Sequence, residues 1–269
     1  MPLETDRGSD VRGRGTDRGS VSPPEQPSDG RNGSRPGIRP RPTFRPRRTV
    51  ERDPVGTSGR PGEPSGGPVI DLSHPIEPGM PTFPGDPIVE TWPHATIDAT
   101  GFNLTAIGLS SHTGTHVDAP SHVEPDGKSI SEFPLERFRY DAVVVDCDAG
   151  GGDPIGSGAV PKAPSADLLL FQTEWDRHWG DEQYWTYPYL SVECARECAR
   201  RGFDVGIDAP SVDPEGADLR AHHELLRADR LIIENLTGLE ALSERPTVHA
   251  FPLPLASVDG SPVRVVGEN

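Results

Sequence analysis

His112-Thr113-Gly114-Thr115-His116-Val117-Asp118-Ala119-Pro120-Ser121-His122 carries four side chains able to bind a metal or move a proton at even intervals. On an extended strand that spacing puts all four on one face. A helix would bring residues 112 and 116 together but would turn Asp118 and His122 away, and Gly114, Thr115, Val117 and Pro120 favour strand and turn. The pattern predicts a strand that enters from Leu104 and breaks at Pro120. Three imidazoles and a carboxylate converging at a strand end suit a borderline divalent ion such as zinc or manganese. The chain has nine histidines in all, so three of them within eleven residues weigh against the plain alternative, a solvated histidine-rich loop.

Upstream, Phe102 to Ser111 is apolar on both faces, as a buried strand is, and delivers His112 directly. Before it, Val69 to His74 reads as a short strand stopped by Pro75. Five prolines and two glycines between 75 and 87 then exclude a central strand or helix and describe a shaped loop. Phe83 is the only aromatic residue of that loop, a pocket wall or a core plug. Downstream, apolar strands are expected over 141–146, 168–171, 203–207, 230–236, 248–252 and 263–266. Ser191 is a good N-cap for a helix that runs to Arg201 and ends at Gly202, and a second helix covers 219–227 with His222 and His223 in its first turns. This alternation is that of an α/β domain. Glu234 closes the run Leu231-Ile-Ile, where a carboxylate is costly unless paired or coordinated, so it is a candidate ligand with an arginine ion pair as its alternative. The glycine-rich segment 148–166 lacks nucleotide-loop spacing, and no helix follows it. The aromatic segment 174–189 suits a substrate pocket or a subunit contact.

Composition divides the chain. Residues 1–66 are rich in Arg, Pro, Gly and Ser and nearly devoid of aliphatic anchors, which predicts a disordered tail, either a solvated linker or a misassigned start. Arg47-Arg48 is followed by no apolar run, so an export signal is not expected. Thirteen of the 26 basic and nine of the 42 acidic residues lie in that tail, leaving 67–269 with a net charge of −20. Such a surface repels nucleic acid and anionic lipid. Two lysines, Lys128 and Lys162, stand beside 24 arginines, and scarce lysine with excess carboxylate resembles an adaptation to high salt. Three cysteines, Cys147, Cys194 and Cys198, imply reduced thiols and a cytoplasmic location. No apolar run is long enough to span a membrane.

Taken together, His112 to His122, Asp71-Leu-Ser-His-Pro, Phe83-Pro-Gly-Asp, Gly206-Ile-Asp-Ala-Pro-Ser-Val-Asp213, Ala221-His222 with Glu234, and Ser261-Pro-Val-Arg264 resemble the cyclase family of metal-dependent hydrolases. That family includes bacterial kynurenine formamidases and isatin hydrolases. The resemblance covers 69–266 and implies a swivelling β/β/α domain over 67–269, assembled as a homodimer or homotetramer. It implies a metal site of His112, His116, Asp118, His222 and Glu234 for one or two zinc or manganese ions, with Asp118 bridging if there are two. His122 would be the general acid and base, and Phe83 would face an aromatic small-molecule substrate. The implied reaction is hydrolysis of a formamide or strained cyclic amide by metal-activated water. Phe83 departs from the tryptophan typical of kynurenine formamidases, keeping an apolar wall without the indole donor. A hydrolase or lyase acting on a non-aromatic substrate and a non-catalytic metal-binding protein are the alternatives.

Overall fold

The structure, a computed structural model, describes residues 67–162 and 165–269, and the tail expected over 1–66 lies outside the described residues. In chain order the elements are β1 (Val69–Asp71), β2 (Glu90–Ala95), α1 (Ile97–Thr100), β3 (Leu104–Gly108), β4 (His116–Asp118), β5 (Arg139–Asp146), β6 (Pro154–Ile155) and β7 (Leu168–Gln172). They continue with β8 (Tyr189–Leu190), α2 (Val192–Arg201), β9 (Asp204–Ile207), α3 (Arg220–Leu226), β10 (Ile232–Glu234), β11 (Thr247–His249), β12 (Gly260–Pro262) and β13 (Val266–Glu268).

Nine strands form one mixed sheet in the order β1-β13-β11-β5-β7-β9-β10-β4-β12. Its centre is parallel, β5-β7-β9-β10, and β4 pairs antiparallel with both β10 and β12. Alternate residues of the central strands feed two cores. Val143, Val145, Leu169 and Phe171 face α2, α3 and the aromatic segment, whereas Ala142, Leu168 and Leu170 face Leu72, Phe133, Phe138 and Leu239. Cover on both faces explains why β7 reads as unbroken apolar sequence. α2 forms as expected: the Ser191 hydroxyl accepts from the Cys194 amide, and Gly202 ends the helix at φ +84°. Its buried face is Cys194, Ala195 and Cys198, so the paired cysteine spacing is a packing stripe of free thiols.

Three expectations change, one of them slight: the strand expected over 263–266 falls between β12, which ends at Pro262, and β13, which starts at Val266. The strand expected from Leu104 to Pro120 is broken: β3 ends at Gly108 and β4 spans only His116–Asp118. Between them the Ser110 amide donates to Thr113 Oγ1 at 2.9 Å, and Gly114 adopts φ +62°, a left-handed conformation that side chains disfavour. His112 therefore comes from a turn and His122 from the 3-10 turn Pro120–His122, leaving His116 and Asp118 as the true i, i+2 pair. Nor is the 102–111 run buried. β3 pairs only with β2 in a separate two-stranded sheet, and Phe102, Leu104 and Ile107 are exposed. An apolar run shows that a segment seeks cover without showing that its own chain supplies it.

Candidate metal centre and its cavity

β4 lies between β10 and β12, and this register assembles the site. Glu234 pairs across from His116, and Gly260 pairs across from Asp118. Asp118 Oδ1 stands 2.7 Å from His112 Nδ1 and 3.2 Å from His116 Nε2. On the other side, His222 Nε2 is 3.5 Å from Asp118 Oδ2 and 3.3 Å from Glu234 Oε1. Two groups of ligand-capable atoms result, His112-His116-Asp118 and Asp118-His222-Glu234, with Asp118 common to both. A third group, His112-His122-Asp259, adjoins them.

Each of the three imidazoles in the first two groups is oriented by a partner on its far nitrogen. His112 Nε2 meets Asp259 Oδ2 at 3.0 Å, His116 Nδ1 meets the Gly114 carbonyl at 2.7 Å, and His222 Nδ1 meets Asp213 Oδ2 at 2.8 Å. That is how metal-binding histidines are held. His122 Nδ1 lies 3.4 Å from the same Asp259 oxygen, and its ring centre is 4.1 Å from that of His112. His223, next to His222, points outward to Glu124.

The charges of the site call for a cation. Burial opposes ionisation of Asp118, yet the facing His116 and His112 rings outweigh it and hold the carboxyl well below its usual range. Burial likewise opposes charge on His112, but Asp118 and Asp259 prevail and push its pKa up to about 10. His222 is raised for the same reason, by Asp118, Asp213 and Glu234 against burial. His122 moves the other way, lowered chiefly by burial. Asp118 Oδ2 is buried without a hydrogen-bond partner among the described residues. An ionised oxygen left so is costly, and a divalent ion is the partner this imidazole and carboxylate set fits.

The cluster opens into a cavity of about 210 Å³. A dry cavity of about 150 Å³ admits benzene, so one substituted ring fits. Phe83, Trp185 and Tyr184 wall it, with Asp86 and Asn235. Phe83 meets Trp185 edge to face, ring centres 6.0 Å apart. Trp175 and Trp179 do not line the cavity: Trp175 is core, and Trp179 stacks on His74 at 3.8 Å. All seven residues singled out from the sequence thus meet at one place, His112, His116, Asp118, His222 and Glu234 as one cluster with His122 and Phe83 beside it. Sequence reasoning missed Asp213, Asp259 and Asn235. The first lies in the quoted Gly206–Asp213 motif. Asp259 directly precedes the Gly260 that pairs with Asp118, a register visible only in the folded sheet.

The Putative cyclase family model matches residues 70–214. Kynurenine formamidase from Salinibacter ruber is 36% identical over 204 residues, covering 74% of this chain and 96% of that protein. Kynurenine formamidase from Erythrobacter litoralis is 31% identical, covering 74% and 92%. Among solved structures, isatin hydrolase A from Labrenzia aggregata, bound to benzyl benzoate, superposes with a TM-score of 0.67 at 26% identity, covering 74% of this chain and 93% of that one. A predicted metal-dependent hydrolase from Bacillus stearothermophilus does so with a TM-score of 0.63 at 26% identity, covering 74% and 97%.

Proposed function

The chain belongs to the putative cyclase family, and from that premise we propose that it is a metal-dependent amidohydrolase acting on an aryl formamide, as in the conversion of N-formylkynurenine to kynurenine and formate. The supporting observation is the shared position of Asp118 between two ligand groups at the floor of an aromatic-walled cavity. His112, His116 and Asp118 would hold one ion, and Asp118, His222 and Glu234 a second, zinc or manganese in either case. Bound there, such an ion supplies Lewis acidity toward a carbonyl and lowers the pKa of a water.

The chain's own residues supply the rest. Phe83 and Trp185 hold the aryl ring. Asp259 holds His122 through Nδ1, leaving Nε2 to exchange protons with the cavity. Burial favours the neutral ring, so His122 first takes a proton from the attacking water. It then returns that proton to the aniline nitrogen as the C–N bond breaks, releasing the free amine and formic acid, which ionises to formate. A cyclic amide such as isatin is the second reading, favoured by the likeness to isatin hydrolase A.

We read 67–269 as the hydrolase domain and 1–66 as a tail outside it. The free thiols fit a cytoplasmic setting and the carboxylate excess fits high salt. No helix among the described residues is long and apolar enough to cross a membrane. The exposed apolar hairpin β2–β3 supports assembly as a homodimer or homotetramer.

The test is metal analysis of full-length protein purified in high salt, followed by assays on N-formylkynurenine and isatin with added zinc or manganese. One or two ions per chain and faster hydrolysis of N-formylkynurenine are expected. Metal without turnover of either would remove the aromatic substrate, and failure to acquire metal would remove the reading.

A further inference from the structure

We infer that the turn Phe83-Pro84-Gly85-Asp86 recognises its substrate at two points, the ring of Phe83 taking the aryl group and the Asp86 carboxylate taking a primary ammonium on the same molecule. Aryl formamides that carry an amine, with or without an α-carboxylate, are then substrates. The inference rests on the aryl-formamide reading above and names the substrate class more narrowly.

The turn itself is the first support. The Asp86 amide donates to the Phe83 carbonyl at 2.9 Å, and Gly85 has φ +99°. Proline second and a positive-φ glycine third define a type II turn, which brings its end residues within about 7 Å. Proline fixes one dihedral in advance, and glycine takes the positive φ of the next position without steric cost. The turn therefore keeps the two residues close along the backbone, and both line the cavity that contains His122 and His222. Trp185, edge to face with Phe83, extends the same aryl wall.

Charge is the second support. Asp86 is half-buried, and no hydrogen bond or ion pair reaches its carboxylate among the described residues. The other acidic and basic side chains lining the cavity, Glu234 and the histidines, belong to the metal cluster and its neighbour His122. Asp86 thus lines the ligand space as a carboxylate without a protein partner among the described residues, complementary to an ammonium. In an ortho-amidophenyl ketone with a terminal amine, nitrogen and ring are separated by about 5 Å at ordinary bond lengths, within the reach of the turn. An α-carboxylate on that substrate meets the like charge of Asp86, and no Lys or Arg lines the cavity among the described residues. It contributes nothing to binding.

Isothermal titration of the full-length protein tests this with three probes: 3-amino-1-(2-aminophenyl)propan-1-one, its 3-hydroxy counterpart, and kynurenine. The amine is expected to bind about tenfold more tightly than the alcohol, as an ion pair with the carboxylate replaces a bond donated to it by an uncharged hydroxyl, and no more weakly than kynurenine. Asp86→Asn should bring the amine-to-alcohol ratio close to one. Equal binding of amine and alcohol in the unaltered protein, or a ratio that survives Asp86→Asn, overturns the assignment. Kynurenine binding far above the amine overturns the claim about the carboxylate. The N-formyl derivatives of the same three compounds separate this inference from the reading beneath it. If the binding order holds and none of them is hydrolysed by the metal-loaded protein, the aryl-formamide reaction falls while the two-point recognition stands.

Discussion

The hairpin β2–β3 and the strand β4 are near neighbours in sequence and opposites in environment. The hairpin shows Trp92, Phe102, Leu104 and Ile107 to solvent, Ile107 being 61% exposed. β4, eight residues further on, buries His116, Val117 and Asp118 completely or nearly so. Hydrophobicity alone would assign the two segments the other way round. Topology decides: β4 has a strand on each side and core beneath it, and β3 has β2 alone. Burying an aspartate and a histidine is tolerated because opposite charges converge on them, and it gives the site the low dielectric in which those charges act strongly. Leaving an apolar hairpin uncovered is a different bargain, since a two-stranded sheet is marginal by itself and a patch of this kind marks an interface.

The buried side of the contrast should break most completely at Asp118. Asp118→Asn removes the charge shared by both ligand groups, and breaking a buried pair costs about 3–5 kcal/mol, or about two to four decades of metal affinity. Dialysed protein analysed for zinc and manganese should be nearly empty, with hydrolysis lost in proportion. Full metal content in that variant would remove Asp118 as the bridge. His122→Ala sharpens the same point, because it should leave the metal in place and lower turnover by about 10²–10⁴-fold. Metal lost along with turnover would make His122 a ligand and leave the reaction without its proton carrier.

Those residues are also where the sequence was most legible. The spacing from 112 to 122 exposed the cluster even though the strand drawn through it was wrong, because the four side chains converge from a turn, a strand and a 3-10 turn. Glu234 was legible as a carboxylate ending an apolar run. His222 was not separable from His223 by spacing, since both sit in the first turn of α3, and only the resemblance to a family chose between them. The central strands and α2 were legible from unbroken apolar runs and from the Ser191 and Gly202 caps. Asp213 and Asp259 were not, since each acts through a histidine distant in sequence. The hairpin's exposure was hidden for the reason already given: an apolar pattern does not say whose surface covers it.

A smaller effect is expected at Gly260, which lets β12 approach β4. A Cβ there would lie 2.8 Å from the Val117 carbonyl oxygen and 2.9 Å from His112 Cε1. Backbone cannot yield cheaply, so Gly260→Ala should cost about 1–3 kcal/mol, read as a lower urea midpoint with an unchanged slope. Gly156→Ala is the control, because a Cβ at that position meets nothing within 4 Å. Equal stability of the two variants would mean that β12 has room to move away from His112.

The hairpin should give the smallest effect on the fold and a distinct one on assembly. Ile107→Asp replaces an exposed side chain, so within one chain its cost stays near 0.5 kcal/mol. In a homo-oligomer that covers the hairpin, the same change buries an unpaired carboxylate in an apolar contact, and the assembly dissociates. Light scattering of the full-length protein over a concentration series in high salt should show a dimer or tetramer, and a monomer for Ile107→Asp. The metal content should stay the same, because the hairpin supplies no residue to the cluster. A monomeric parent protein would remove the hairpin as an interface, and its apolar face would then be covered by something other than a second copy. If Ile107→Asp lost metal as well as its partner, the two regions would be coupled through residues 109–115, and the separation between chemistry and assembly drawn here would fail.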